Sequence, residues 1–511
     1  MILTISVTIL IATVLGAIGF GRHKRRKTMT DWAVGGRSFG TLLFWFMNAG
    51  EVYTTFAVLG ISGYAWALGA PAYLAFLSVS LSYSLGYWLM PKIWRVGRMR
   101  RLVTQSDWFA VRYDAPWLGV LVAVIGIAAL VVYVQIQLVS LGLVVRLTIG
   151  PSVSTTAAVL IGAGLMLAFV FLAGLRSAAF SAGVKDVLMI VVVVVLCVTV
   201  ADKVGAASLL DVFRVVEQQH PGIGRLPGLD PASTTTAVWL MTSGLNVALG
   251  NWVFPHLFQV AYSSRSATSI RRNAIWQPLY SLAYFFIILM GFAALIAGTK
   301  PEGGDLNGAF LTFVSNRYPD WVVGLVAGTC FLLALAPGSV LLLTSGSLFA
   351  RNIVGPLRAA VSGRALRDTS TLLLSRSSMV AFALLATYLT LAQSKSLVTI
   401  LLSAYSAIGM LAPAVFLGFL WRRTSALGVL VGLAGGFAAL LAPFAKGFWS
   451  SALPTWEPGL LAMAINAVLV VLVSLVTRAP GPDALAAGLL TGPGGGSRTR
   501  AMTDTPEGTQ R

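Results

Sequence analysis

Glu51 lies in the run Phe46-Met-Asn48-Ala-Gly50-Glu51-Val-Tyr53-Thr54-Thr55, about ten residues into an otherwise apolar segment. An ionised carboxylate at that depth of a bilayer is costly unless it is paired. Low-dielectric surroundings favour the neutral form of a carboxyl group, which suits reversible protonation; its bland role would be to cap amides freed by a helix break. Asn48 adds an amide, Tyr53, Thr54 and Thr55 add hydroxyls, and Gly50, Gly60 and Gly63 interrupt the segment. A second run has the same character: Thr242-Ser-Gly244-Leu-Asn246-Val-Ala-Leu-Gly250-Asn251-Trp252-Val-Phe-Pro255-His256. Glycine and unpaired polar groups at membrane depth are the mark of discontinuous helices that bind solute and coupling ion near the midplane. Gly and Pro also kink membrane helices without further consequence.

Other buried polar groups are Gln135 and Gln137 in one apolar segment and Tyr405 and Ser406, before Gly409, in another. Such side chains more often hold helices together than touch a ligand, and Asn466 is read that way. Lys185 and Asp186 are read at the start of a span, paired locally with Arg176, with an inner gate as the alternative. His23, His220 and His256 form no cluster at metal-ligand spacing, and Cys197 and Cys330 lie in apolar runs. Ser/His/Asp and phosphate-loop patterns are absent as well. The expectation is no enzyme, no metal site and no cofactor.

The elements that must hold these residues follow from composition. The 511 residues are 57% hydrophobic and 10% charged, against roughly 25% charged in a soluble domain. So few charges cannot cover the outside of soluble domains, and the bulk is expected in lipid as an all-α polytopic membrane protein. About 13 apolar stretches are long enough to count: 2–20, 41–67, 70–90, 116–145, 155–174, 185–203, 236–257, 275–298, 321–349, 372–393, 397–421, 425–445 and 458–477. The first has no basic residues before it and a basic cluster after it, which reads as a retained helix rather than a cleaved leader.

Alternating the spans from an outside N-terminus puts 28 of the 36 Lys and Arg residues inside and 8 outside, as the positive-inside rule requires. The net charge of +19 is therefore a topology signal rather than a sign of nucleic acid. The two interrupted spans stand five apart, hence in opposite orientation, which is the layout of a five-plus-five inverted repeat. The expected organisation is a transmembrane domain over 1–477, with repeat one at about 41–203 and repeat two at about 236–421. A disordered cytoplasmic tail follows at 478–511.

Several of these residues resemble a known family. Asp31-Trp-Ala-Val-Gly-Gly-Arg37-Ser38 is similar to the signature after the first helix of the sodium:solute symporter family. The stretch Arg176 to Asp186, the pair Pro255-His256 followed by Ser264-Arg265-Ser266 and Ile270-Arg271-Arg272-Asn273-Ala274, and Leu335-Ala336-Pro337-Gly338-Ser339 with Ser347-Leu-Phe349-Ala-Arg351-Asn352-Ile353 resemble its later loops and ninth helix. The resemblance covers about 1–480 and implies a ten-helix LeuT-like core. Gly50-Glu51-Val52-Tyr53-Thr54 is similar to a motif of bacterial monocarboxylate permeases, with Glu where Asp is expected. Where sodium-coupled members carry adjacent hydroxyls in the ninth helix, the resemblance places Ala336 and Pro337, with Ser339 displaced from the pair.

The expectation is thus a secondary active symporter of small organic anions, most simply monocarboxylates such as lactate, pyruvate, acetate or propionate. It would sit in a bacterial inner membrane, N-terminus outside and C-terminus inside. Its pathway would use Asn48, Gly50, Glu51, Tyr53, Thr54, Gln135, Asn246, Asn251, Trp252, Ser339 and Tyr405, with a proton on Glu51 as coupling ion. A sodium symporter of an amino acid or vitamin is the alternative within the fold, and a sensor or intramembrane enzyme the alternative outside it. The oligomeric state is left open.

Overall fold

The computed structural model describes residues 1–21, 28–150, 152–172, 175–392 and 396–481. The basic cluster at 22–27, the expected tail beyond 481 and the Glu51 side chain lie outside the described residues. What is described is helical almost throughout; its one β pairing is an isolated bridge between Phe39 and Ser264.

Helix α1 (Ile2–Gly21) precedes the short α2 (Met29–Val34), which starts where the Thr28 hydroxyl accepts the Asp31 amide. The first interrupted span follows as α3 (Thr41–Val52) and α4 (Ile61–Leu68), separated by Tyr53-Thr54-Thr55 and one wide turn over Phe56–Gly60. Next come α5 (Leu74–Met99), the capping-box helix α6 (Gln105–Arg112), α7 (Pro116–Ile149), α8 (Thr155–Leu172) and α9 (Leu175–Val204). A surface helix α10 (Asp211–Gln219) leads to the second interrupted span, α11 (Ala237–Asn251) and α12 (Pro255–Ser263). After it run α13 (Ala267–Tyr280) and α14 (Ala283–Ile296), the short α15 (Ala309–Arg317), and α16 (Asp320–Leu348), which widens over Phe349–Val354 into α17 (Gly355–Ser362). The chain closes with α18 (Asp368–Ala392), α19 (Leu397–Gly409), α20 (Ala412–Leu420), α21 (Ala426–Leu441), α22 (Pro443–Ala452) and α23 (Pro458–Val476).

Seven of the described helical stretches, with α13–α14 and α16–α17 each taken as one, are long and apolar enough to cross a membrane, or nine when the bent pairs α19–α20 (43°) and α21–α22 (66°) each count as one. The sequence figure of about 13 also counted interrupted and shorter segments. Three boundaries differ from expectation, each where charge was taken for a loop. α9 begins at Leu175 rather than 185, so Lys185 and Asp186 stand in its third turn. The basic stretch 258–274 is mostly helix, in α12 and α13. α5 runs on to Met99 through Pro91 and a basic end that the apolar count stopped short of.

α16 is the axis of the molecule, buried over nearly its whole length against α7, α1, α9 and α18. Two ties brace one end of the bundle. Arg112 of α6 is buried and donates to the carbonyls of Gly418 (2.7 Å) and Trp421 (3.1 Å) at the end of α20. The Phe39 amide donates to Ser263 O (3.0 Å) and the Arg265 amide to Phe39 O (2.8 Å), joining the start of α3 to the end of α12.

Candidate functional site

α3 ends at Val52 because the next residues spend their groups on the break itself. The Thr54 hydroxyl accepts the Phe56 amide at 3.2 Å, which competes with helical bonding. The Tyr53 ring is buried between Tyr280 (4.4 Å between centroids) and Tyr284 (5.1 Å), and its hydroxyl donates to Tyr280 O. Tyr53 therefore anchors the break with its side chain and leaves its carbonyl at the break. Asn48 is buried one turn earlier, and its Oδ1 has no partner among the described residues.

The second break has a direct cause: Pro255 carries no N–H and opens α12 at the position where proline is tolerated. Trp252 turns its indole N–H onto Ser82 O of α5 and packs edge-on against Tyr83. The Val253 carbonyl is taken by the Gln105 amide group. Asn251 Oδ1 accepts the Tyr405 hydroxyl at 3.0 Å, and Asn246 donates to Ser406 Oγ at 3.2 Å, so α19 holds the end of α11 by two side chains.

One face of α7 touches both breaks. Gln137 Oε1 accepts the Thr55 hydroxyl at 3.0 Å, and Tyr133, one turn away on the same face, packs on Phe254 (5.3 Å) and Tyr405 (6.3 Å). The Gln137 Nε2 group is buried without an acceptor among the described residues. Gln135 is buried two positions away, about 200° round the helix. Sequence reasoning weighted Gln135; the four-residue spacing of Tyr133 and Gln137 was the signal for the other face.

The wall opposite α3 is made by α9 and α16. Met47 and Gly50 meet Ala178 and Ala182 of α9 and Ala336, Pro337 and Val340 of α16 across a small cleft. The Ser339 hydroxyl is turned back onto Ala336 O at 2.6 Å. Arg176 reaches Gly35 O and Ser38 Oγ, so Asp186 pairs not with it but with its neighbour Lys185. Lys185 is buried, and its Nζ donates to Gly50 O (3.1 Å) and Tyr53 O (2.6 Å), with Asp186 Oδ1 at 3.1 Å.

Two further polar groups escaped sequence reasoning. Glu457, before Pro458 at the start of α23, reads as an ordinary cap, yet it is buried and accepts the hydroxyls of Ser243 and Ser406, each at 3.3 Å. Asp107 of α6 accepts Arg351 Nε (3.0 Å) and Asn352 Nδ2 (2.8 Å), while Thr104 donates to Asn352 Oδ1 (2.8 Å), which locks α6 to the end of α16. Both depend on long-range pairings that spacing does not reveal.

Comparison with known proteins gives a consistent frame. The profile of the sodium:solute symporter family matches residues 32–436. A Bacillus subtilis symporter, YhjB, is 33% identical over 468 residues, covering 89% of this chain and 94% of its own. A monocarboxylate transport permease protein of Rhizobium johnstonii is 27% identical, covering 67% of this chain and 68% of its own. Among solved structures, a Na+-coupled sialic acid symporter in a substrate-bound outward-open state superposes with a TM-score of 0.75 at 14% identity, over 94% of this chain and 98% of that one. A nucleobase-cation-symport-1 family transporter in a closed conformation superposes with a TM-score of 0.57 at 14% identity, over 89% and 97%. The fold is LeuT-like.

Proposed function

The chain belongs to the sodium:solute symporter family, and from that premise we propose that it is a secondary transporter of monocarboxylates such as lactate, pyruvate, acetate or propionate, driven by protons. The substrate lies along α7 between the two breaks. The observation that carries this reading is the shared α7 face: Gln137 at one break, Tyr133 at the other, and an amide donor on Gln137 that no described acceptor uses. A carboxylate satisfies such a donor, and helix ends that present free amides favour an anion. The name of the Rhizobium johnstonii permease, and that of a Corynebacterium glutamicum monocarboxylic acid transporter 23% identical over 526 residues, support the substrate class.

Coupling rests on Glu51 as proton carrier and on the α16 wall, where Ala336 and Pro337 offer no side-chain oxygen to a stripped cation. The protein sits in a bacterial inner membrane with its N-terminus outside, and the two halves rock about the breaks to expose the site to either side. Uptake of labelled monocarboxylates into proteoliposomes, under a proton gradient or a sodium gradient with choline as replacement, tests this. Saturable uptake driven by protons and insensitive to sodium is expected, and Gln137→Leu should raise KM about ten-fold. Sodium-driven uptake of another solute would restore the sodium-symporter alternative.

A further inference from the structure

The C-terminal end of a helix carries unpaired carbonyls and the negative end of the helix dipole, so a helix broken inside a membrane creates a place for a cation. The end of α3 is such a place. It presents the Gly50 and Tyr53 carbonyls to the third turn of α9, where Asp186 adds a carboxylate. Among the described residues the position is filled from within the protein. An ammonium has three donor hydrogens, and Lys185 Nζ has three oxygens around it: Gly50 O at 3.1 Å, Tyr53 O at 2.6 Å and Asp186 Oδ1 at 3.1 Å. Lys185 and Asp186 are both fully buried. The opposite wall, Ala336 and Pro337, adds no side-chain oxygen to these three. Gly50 lets α3 and α9 pack closely here, since a Cβ would stand 3.3 Å from that of Ala182.

We propose that Lys185 is the resident cation of this transporter: its tethered ammonium occupies the carbonyl site at the α3 break in place of a free alkali ion. A free ion is bound on one side of the membrane and released on the other. A tethered one stays, so the charge of this site changes only by gain or loss of a proton. The ionisable groups described around it are Asp186 on α9, Tyr53 just beyond the end of α3, and Tyr280 and Tyr284 from α13 and α14; α16 adds none at the cleft. This deepens the proton coupling proposed above and rests on that reading of the break, though not on the substrate class.

The test reads sodium binding without substrate. Purified protein is melted in detergent at fixed pH and ionic strength, in sodium chloride or choline chloride. The wild type should melt at the same temperature in both. Lys185→Ala removes the ammonium and leaves the two carbonyls and the Asp186 carboxylate to a small cation. It should gain a saturable, sodium-specific rise of a few degrees once sodium exceeds its dissociation constant about ten-fold. Should Lys185→Ala fail to fold, Lys185→Ser, which restores one oxygen, is judged by the same criterion. Sodium-specific stabilisation of the wild type would overturn the proposal, and so would a folded Lys185 variant that stays indifferent to sodium. Absence of monocarboxylate uptake alongside the expected melting pattern would overturn the substrate class and leave this assignment standing.

Discussion

The hydroxyl of Tyr405 donates to Oδ1 of Asn251 across 3.0 Å, tying the middle of α19 to the last residue of α11. Asn251 is the residue from which α11 breaks, so the bond fixes where the broken span turns. The Tyr405 ring also lies 5.0 Å from that of Phe254, on the far side of the same break.

Tyr405→Phe keeps the ring packing and removes the donor. The bond is partly buried, and its loss costs about 1 kcal/mol. We expect a lower melting temperature and an uptake KM raised roughly ten-fold. Unchanged values for both would show that the bond does not hold the break.

Glu51→Gln should abolish accumulation driven by a proton gradient, because an amide cannot carry the proton. Counterflow exchange, which needs binding but no driving force, should survive. Gradient-driven uptake at the wild-type rate in this variant would remove Glu51 from the mechanism.

Asp107→Asn weakens the lock between α6 and the end of α16. Arg351 is 39% exposed, so water already screens part of the ion pair. The remaining loss is on the order of 1 kcal/mol. The sign is set by the released Arg351 and Asn352: α6 loosens, and a cysteine placed at the buried Ser106 should react faster with a thiol reagent than it does beside Asp107. An unaltered labelling rate would place the stability of α6 elsewhere.

Glu217 predicts a local pH dependence outside the bundle. Amides of Gly222 (2.8 Å) and Gly224 (3.2 Å) donate to its carboxylate and hold it below the usual glutamate range. A carboxylate depressed in the folded state adds stability that is present above its unfolded value and lost as pH falls through the folded one. Hydrogen exchange at Gly222 and Gly224 should therefore accelerate, relative to neighbouring amides, only at pH below the ordinary carboxylate range. Glu217→Gln should remove that step.

The two interrupted spans were legible in the sequence because an unbroken membrane helix has little use for clustered glycines and unpaired amides at its centre. Asn48, Tyr53, Thr54, Asn246, Asn251 and Trp252 all stand at or near those breaks. Their side chains have differing tasks, and these were not readable. Tyr53 and Trp252 anchor through a hydroxyl and an indole to carbonyls more than 150 residues away in the chain. Lys185 was hidden for a more general reason. Its charge argued for a loop, while the carbonyls that compensate it belong to residues 135 and 132 positions earlier. Periodicity reports which face of a helix is apolar and has no means of reporting which main-chain groups a distant break has set free.

The bridge of Phe39 with Ser263 and Arg265 is made by main chain alone. Its two bonds ask nothing of the side chains at those positions. Alanine at Phe39 would report the loss of its buried ring rather than of these bonds, and drift in sequence at Arg265 would leave them intact. Only a change to the backbone reaches it: proline at 265 deletes the donor to Phe39 O, and an ester in place of the Phe39 amide deletes the donor to Ser263 O. The joint between these two helix ends therefore answers to the backbone, and among coded changes proline is the one that reads it directly.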